Sequence, residues 1–333
     1  MYDLIIIGGG PAAVAAGVYA ARKKLKTLLI TESFGGQSMV SDNIENWIGE
    51  KMLTGFDLAK KLEEHVRAQE GIEIRMPERV TKVSEILCTN GKRPCDFLVE
   101  TDKGGQYETK TVVVTSGSRR RRLGVPGEDK FEGRGVAFCS TCDAPVFAGK
   151  RVAVIGGGNA GLEAVVDLFP YATEIYLMHR GDALKGDEAT QEEIGKNPKV
   201  KIILNAETQE ILGDKFVTGF RYKDAKSGEV RELALDGVFV EIGAVPNSEI
   251  VKELVNLNKF GEITIDHKTA STSKPGIFAA GDVTDEMYKQ NNISAGDGVR
   301  AALSAYAYIL GVKKQSPAVE RAENHLFHPA AKA

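Results

Sequence analysis

Apolar residues along the chain gather into short continuous runs that end on glycine, and two of these runs open the same pattern. Residues 2–7 form a β-branched stretch that reads as a buried strand and enters Gly8-Gly9-Gly10-Pro11-Ala12-Ala13, after which alanine-rich helical spacing continues to about residue 24. A second strand is predicted over 26–31 and ends at Glu32, 24 positions beyond Gly8. The grammar of strand, tight turn, helix and strand returns 148 residues later, as 151–155, Gly156-Gly157-Gly158-Asn159-Ala160-Gly161, 162–169 and 174–178.

Between the two units, Thr111-Val112-Val113-Val114-Thr115-Ser116 reads as a buried strand ending at Gly117, followed by the basic run 119–122 and Pro126-Gly127-Glu128. A crossing between domains is expected near Ser118. The return is expected near Gly243-Ala244-Val245-Pro246-Asn247, after a strand-like stretch at 236–241. A strand at 276–280 then runs into Gly281-Asp282-Val283, and a helix over about 293–310 closes the first unit. The expected fold is α/β, with two Rossmann-like nucleotide-binding domains and the second inserted into the first: 1–117 with 245–312, 118–244, and a tail at 313–333.

Bulk properties narrow the function classes. With 333 residues, 42% hydrophobic and 27% charged, the chain has the length and composition of a folded two-domain protein. Lys plus Arg number 43 against 46 Asp plus Glu, a net charge of -3 that gives no electrostatic reason to bind nucleic acid. The apolar N-terminal run is too short for a signal peptide and no run is long enough to span a bilayer, so a cytoplasmic protein without a membrane partner is expected.

Only four cysteines occur, and two form Cys139-Ser140-Thr141-Cys142, followed at once by Asp143 and lying just upstream of the second glycine loop. In a reducing compartment such a pair reads as redox or metal chemistry, because two sulfurs at this spacing can close and open a small disulfide. The other two, Cys88 and Cys95, read as structural thiols: their six-residue spacing is wider than common zinc knuckles, so no metal is expected. A glycine loop lets backbone approach a pyrophosphate at a helix N-terminus. Two such loops in the right context imply two dinucleotides, or one dinucleotide and a vestige.

These residues together resemble the low-molecular-weight thioredoxin reductase family over almost the whole chain. Val125-Pro126-Gly127-Glu128-Asp129 and the stretch 152–159 also resemble the reductase portion of the alkyl hydroperoxide reductase flavoprotein, without its additional N-terminal thioredoxin-like domain, so a separate dithiol carrier would take the electrons onward. The resemblance implies FAD at Gly8, Gly10, Ala13, Glu32, Gly35, Gly36, Gln37, Asn46, Gly117, Gly281, Asp282 and Gln290. It further implies that Cys142 faces the flavin, that Cys139 attacks the partner disulfide, and that Asp143 gives and takes the proton; Ala144 stands where the family has glycine. A homodimer, a domain rotation hinged near Ser118 and Gly243, and a thioredoxin-like partner are carried over with it.

The second nucleotide site is expected at Gly156, Gly158, Asn159, Gly161, His179, Arg180 and Lys185. NADPH-specific relatives show His-Arg-Arg followed four positions later by Arg, whereas this chain has His179-Arg180-Gly181 and Lys185. Lysine does not replace the bidentate fork of arginine, which weakens the 2′-phosphate site; no acid ends the strand, which would have marked NADH. NADPH is therefore favoured over NADH, with ferredoxin as an alternative donor. The tail residues His325-Leu326-Phe327-His328 could cover a flavin face or pack as a plain terminus, and the run 119–122 could dock an acidic partner or a 2′-phosphate or form a solvated hinge. A rival of another class is a non-catalytic nucleotide-binding redox sensor or zinc protein.

Overall fold

The computed structural model describes residues 1–41, 44–86 and 97–311. Cys88, Cys95 and the tail segment at 325–328 lie outside the described residues. In chain order the first unit begins with β1 (Tyr2–Ile7), α1 (Pro11–Arg22), β2 (Thr27–Ile30), α2 (Gly55–Arg67), β3 (Ile72–Arg75), β4 (Val80–Glu85), β5 (Phe97–Thr101) and β6 (Gln106–Val114). A short strand β7 (Ser118–Arg120) leads to the inserted unit: β8 (Val136–Ala137), α3 (Ser140–Asp143), β9 (Arg151–Ile155), α4 (Asn159–Leu168), β10 (Glu174–Met178), α5 (Glu188–Lys196), β11 (Val200–Ile203), β12 (Ala206–Gly213), β13 (Val217–Asp224), β14 (Val230–Ala234) and β15 (Gly237–Val240). The chain returns through β16 (Ala244–Pro246) and ends with β17 (Ile277–Ala279) and α6 (Asn291–Ile309).

The first sheet has the order β3-β2-β1-β6-β5-β4, with β17 also on β6. β1 runs parallel to both β2 and β6. The far edge of β6 is divided: its first half pairs antiparallel with β5, its last three residues pair parallel with β17. Because side chains alternate across a strand, the unbroken apolar run of β1 fills two cores at once. Leu4 and Ile6 pack with α1, α2 and α6 on one face, and Ile5 and Ile7 pack with Val83, Phe97 and Val99 on the other. Each such fully buried aliphatic side chain contributes roughly 1.5–3 kcal/mol, which is why these runs carry no polar positions.

The second sheet, β11-β10-β9-β15-β8, is parallel throughout and repeats the device. Val152 and Val154 face α4, while Ala153 and Ile155 face the antiparallel sheet β12-β13-β14. The two chain crossings pair with each other: Ser118 opposes Pro246, Arg119 opposes Val245, and Arg120 opposes Ala244. Polypeptide thus enters and leaves the inserted unit as one antiparallel ribbon.

Candidate active site

Both glycine loops are built alike. Gly8 has φ +128° and a Cβ there would lie 2.3 Å from the Thr115 carbonyl oxygen; Gly156 has φ +138° and its Cβ would lie 2.1 Å from the Glu241 carbonyl oxygen. Any side chain at either position would meet the backbone of the next strand, so glycine is required there. The third residue of each loop is the opposite case: around the Cβ position of Gly10 and of Gly158 no heavy atom of the described residues lies within 4 Å. Those two residues cap α1 and α4 with no side chain on the helix-start amides. Each loop is a cradle open to a pyrophosphate.

Around the first cradle the expected residues are joined by a chain of contacts. Ala13 is fully buried beneath it, Gly36 approaches Gly10, Gly35 packs against Ala59 and Met39, and Gly281 packs near Ala12 and Ser294. Gly117 precedes the crossing, with φ +66°. Gln37 Nε2 donates to Ser118 Oγ (3.0 Å) and to Asp282 Oδ2 (3.3 Å), and its Oε1 accepts from Arg120 Nε (2.9 Å). Asn46 Nδ2 donates to Gln290 Oε1 at 3.4 Å. Burial raises the Asp282 carboxyl above its ordinary value, against the opposing charges of Lys289 and Arg120. Glu32 stands exposed at the end of the second strand, 4.0 Å from Arg79.

The dithiol motif lies between the cradles. Cys139 caps α3, and Cys139 and Cys142 are joined as a disulfide with Cα atoms 5.3 Å apart. The short helix is tied to α4 by Ser140 Oγ, which donates to Asp167 Oδ2 at 2.7 Å, and by Thr141 Oγ1, at 3.4 Å from the same oxygen. Cys142 is turned toward the first unit, with Asn46 Nδ2 at 4.0 Å from its Sγ. Asp143 closes the helix, and burial pushes its carboxyl up to about 6 against the opposing pull of Arg120. A cavity of about 360 Å³ reaches it, lined by Phe138, Val146, Phe147 and Phe216 with Arg120 and Asp143 in its wall.

At the second cradle the loop after β10 folds back, with the Lys185 amide donating to the Gly157 carbonyl and the Asp187 amide to Asn159 Oδ1. The His179 ring packs against Gly157, its Nε2 is buried with no hydrogen-bond partner among the described residues, and burial with Lys185 and Arg180 nearby lowers its proton affinity. A Cβ on Gly181 would lie 2.8 Å from that Nε2. Arg180 and Lys185 are exposed and make no ion pair among the described residues. Gly161 has no room for a Cβ, which would lie 1.9 Å from the Gly156 oxygen.

Of three further residues of this site, Glu241 and Asp167 are absent from the sequence expectations and Arg120 enters them only within the basic run 119–122. The basic run 119–122 is not uniformly a solvated hinge: Arg119 pairs with Glu249 and Arg122 with Glu132, whereas Arg120 turns inward to Gln37, and Arg120 and Arg122 both lie over the Phe138 ring, 5.4 and 4.6 Å from its centre. Burial lowers the proton affinity of Arg120, opposed by Asp143, Glu241, Asp282 and Glu132. Glu241, at the end of β15, is pushed up to about 8 by burial, against Arg120 and the Ser140 amide. Asp167 is the third. Its only sequence signal is a polar position on a largely apolar helix.

The pyridine nucleotide-disulphide oxidoreductase family model matches residues 2–302. NADH dehydrogenase of Bacillus subtilis is 42% identical over 309 residues, covering 93% of this chain and 59% of that protein. An alkyl hydroperoxide reductase subunit of Pseudomonas aeruginosa is 43% identical over 310 residues, covering 93% and 58% respectively. The chain therefore spans about three-fifths of the length of these curated relatives. Among solved structures, thioredoxin reductase from Streptococcus pyogenes superposes with a TM-score of 0.85 at 34% identity, over 93% of this chain and 99% of that one. The paired cradles, the dithiol and these similarities agree: the chain has the fold of the thioredoxin reductases and belongs to the pyridine nucleotide-disulphide oxidoreductase family.

Proposed function

We propose that the chain is a disulfide reductase that passes electrons from NADPH through FAD and Cys139/Cys142 to the disulfide of a thioredoxin-like protein, acting as a homodimer in the cytoplasm. One observation carries the reading: the Cys142 sulfur faces Asn46, which contacts Gln290, so the dithiol is presented to the first cradle. FAD fits that cradle because Gly10 leaves its backbone open and Asp282 offers a half-buried acceptor; bound there, it would supply two-electron transfer between a nicotinamide and a disulfide.

The protein's own groups do the rest. Two electrons break the Cys139–Cys142 bond and two protons complete the dithiol. Cys139, as thiolate, attacks the partner disulfide to form a mixed disulfide and release one partner sulfur; Cys142 then attacks Cys139, remaking the bond and releasing the second. Asp143, held near 6, takes the proton from the attacking thiol and returns it to the leaving sulfur. The cavity beside Asp143 supports docking of an apolar partner side chain. Since dithiol and second cradle share the inserted unit, they take turns at the first cradle by rotation about the β7–β16 ribbon.

A second cradle as open as the first supports a nicotinamide donor over ferredoxin, and Arg180 and Lys185, exposed and without an ion pair among the described residues, support NADPH over NADH. The test is anaerobic mixing of the flavin-loaded protein with NADPH, NADH or reduced ferredoxin while following flavin absorbance. Bleaching by NADPH, and loss of partner reduction in Cys142→Ser, is expected. Failure of NADPH to bleach the flavin would refute the donor assignment, and persistent turnover in Cys142→Ser would refute the dithiol route.

A further inference from the structure

The arginine run that leads into the inserted unit is tied, residue by residue, to different bodies. Arg119 is held by the first unit, its guanidinium donating to Asn247 Oδ1 and to Glu249 Oε1 at 2.6 Å each. Arg122 is held by the inserted unit: it donates to Glu132 Oε2 at 2.6 Å and lies 4.6 Å from the centre of the Phe138 ring. Arg120 is held by both. Its Nε donates to Gln37 Oε1 at 2.9 Å, and its guanidinium lies 5.4 Å from the centre of the same Phe138 ring. Both anchors are themselves fixed: Gln37 Nε2 donates to Ser118 Oγ and Asp282 Oδ2, and Phe138, the residue before Cys139, is buried in the core of the inserted unit. A rotation that exchanges the dithiol for the second cradle has to pivot between the last residue held by the first unit and the first held by the inserted one, hence between Arg119 and Arg122. There the Arg121 amide donates across the ribbon to the Gly243 carbonyl, and Gly243 takes φ +93°. The Arg120 side chain spans that pivot, so rotation costs it either the bond to Gln37 or the seat on Phe138.

We propose that Arg120 is a positioning residue for electron transfer into the dithiol: a brace across the pivot that favours the orientation in which the Cys139–Cys142 disulfide faces the first cradle. It acts by holding the two units together, not on the sulfurs. One charge-assisted hydrogen bond and one cation–ring contact in a half-buried setting weight this orientation by about two- to tenfold. Without the brace, the orientation that brings the second cradle to the first is populated more often by that factor, while the disulfide-facing orientation, already the favoured one, gains nothing. Nicotinamide access to the flavin therefore rises and disulfide access does not. A role confined to charge has the opposite sign: a cation beside the first cradle favours the electron-rich reduced flavin, so its removal slows flavin reduction.

The inference rests on the disulfide-reductase reading for its two half-reactions, which anaerobic stopped-flow absorbance separates in the flavin-loaded protein. In the first, NADPH or NADH bleaches the flavin. In the second, one two-electron equivalent of dithionite reduces the flavin without nicotinamide, and its absorbance returns as two electrons pass to the disulfide and two protons from solvent complete the dithiol. Arg120→Met should bleach about two- to tenfold faster than wild type, with an absorbance return no faster. Arg120→Lys keeps the charge, but its single nitrogen cannot both donate to Gln37 and lie flat on Phe138, so it should shift in the same direction; this arm stands if Arg120→Met does not fold. Orientation is read independently by hydrogen exchange of the flavin-loaded protein without donor, where peptides carrying Asn46 and Cys142 should exchange faster in both variants by the same factor. Bleaching that is unchanged or slower in Arg120→Met, or a wild-type rate in Arg120→Lys, would overturn the brace. If neither nicotinamide bleaches the wild-type flavin, the reductase reading fails and exchange alone decides: rates equal to wild type in both variants would overturn the brace, and faster exchange in both would uphold it.

Discussion

Asp143→Asn should make the protein more stable and less active at the same time. The carboxyl lies at 3.8 in an unfolded chain and is raised to about 6 by burial in the fold. Between those values the folded state binds more protons than the unfolded one, so stability falls as pH rises through the window, with the full penalty above about 6 and none below 3.8. Two units correspond to roughly 3 kcal/mol, of which about 2–3 kcal/mol should return in an amide that keeps the shape and loses the charge. Arg120 is not orphaned, because Glu241, Asp282 and Glu132 still face it. Urea unfolding followed by far-UV circular dichroism should show the variant more stable at pH 7.5, with the gap closing at pH 4. Reduction of a partner disulfide should fall by about 10²–10⁴-fold, the usual worth of a positioned acid–base group. Equal stability at pH 7.5, or a gap of the same size at both pH values, would show that Asp143 is not a desolvated carboxylate poised for proton transfer.

Three further outcomes follow from the packing. Gly10→Val should fold, since its Cβ meets none of the described residues, yet purify without flavin absorbance, whereas Gly158→Val should keep flavin and lose its bleaching by NADPH; flavin retained and bleached normally in both variants would contradict the cradle assignments. Gly298→Ala puts a Cβ 2.1 Å from the Ala12 carbonyl oxygen and should cost about 1–3 kcal/mol in denaturant unfolding by prising α6 from α1, with no change counting against that contact. Lys185→Ala should raise the KM for NADPH about tenfold, the loss of one exposed phosphate contact, while leaving NADH unaffected; an equal effect on both nucleotides would remove Lys185 from 2′-phosphate recognition.

What the sequence made legible is what repeats within one element. The glycine loops and the buried strands of β1, β2, β9 and β10 could be read because continuous apolar runs ending on glycine mean much the same wherever they occur. The sheet β12-β13-β14 could not, because its strands cover one face only and keep charged residues on the other. Val230–Ala234, for instance, is largely exposed and shows no clean alternation. Its role in closing the core under Ala153 and Ile155 emerges only from the fold.

The charge cluster at the dithiol was hidden for a different reason. Arg120 sits in a run of four arginines, where a solvated face is the ordinary reading, and Glu241 ends an apolar strand far along the chain. They meet because the outgoing strand β7 pairs with the returning strand β16, which sets Arg120 opposite Ala244, a few positions after Glu241. Pairing turns alternate residues of a strand to opposite sides. Arg119 is thereby sent outward to Glu249 and Arg120 inward to Gln37 and Phe138. Two residues of the same type and neighbouring position thus receive different environments, one exposed and one half-buried. Local pattern fixes which elements form, but the direction in which Arg120 turns is decided where two linkers pair, and no periodicity within either linker carries that information.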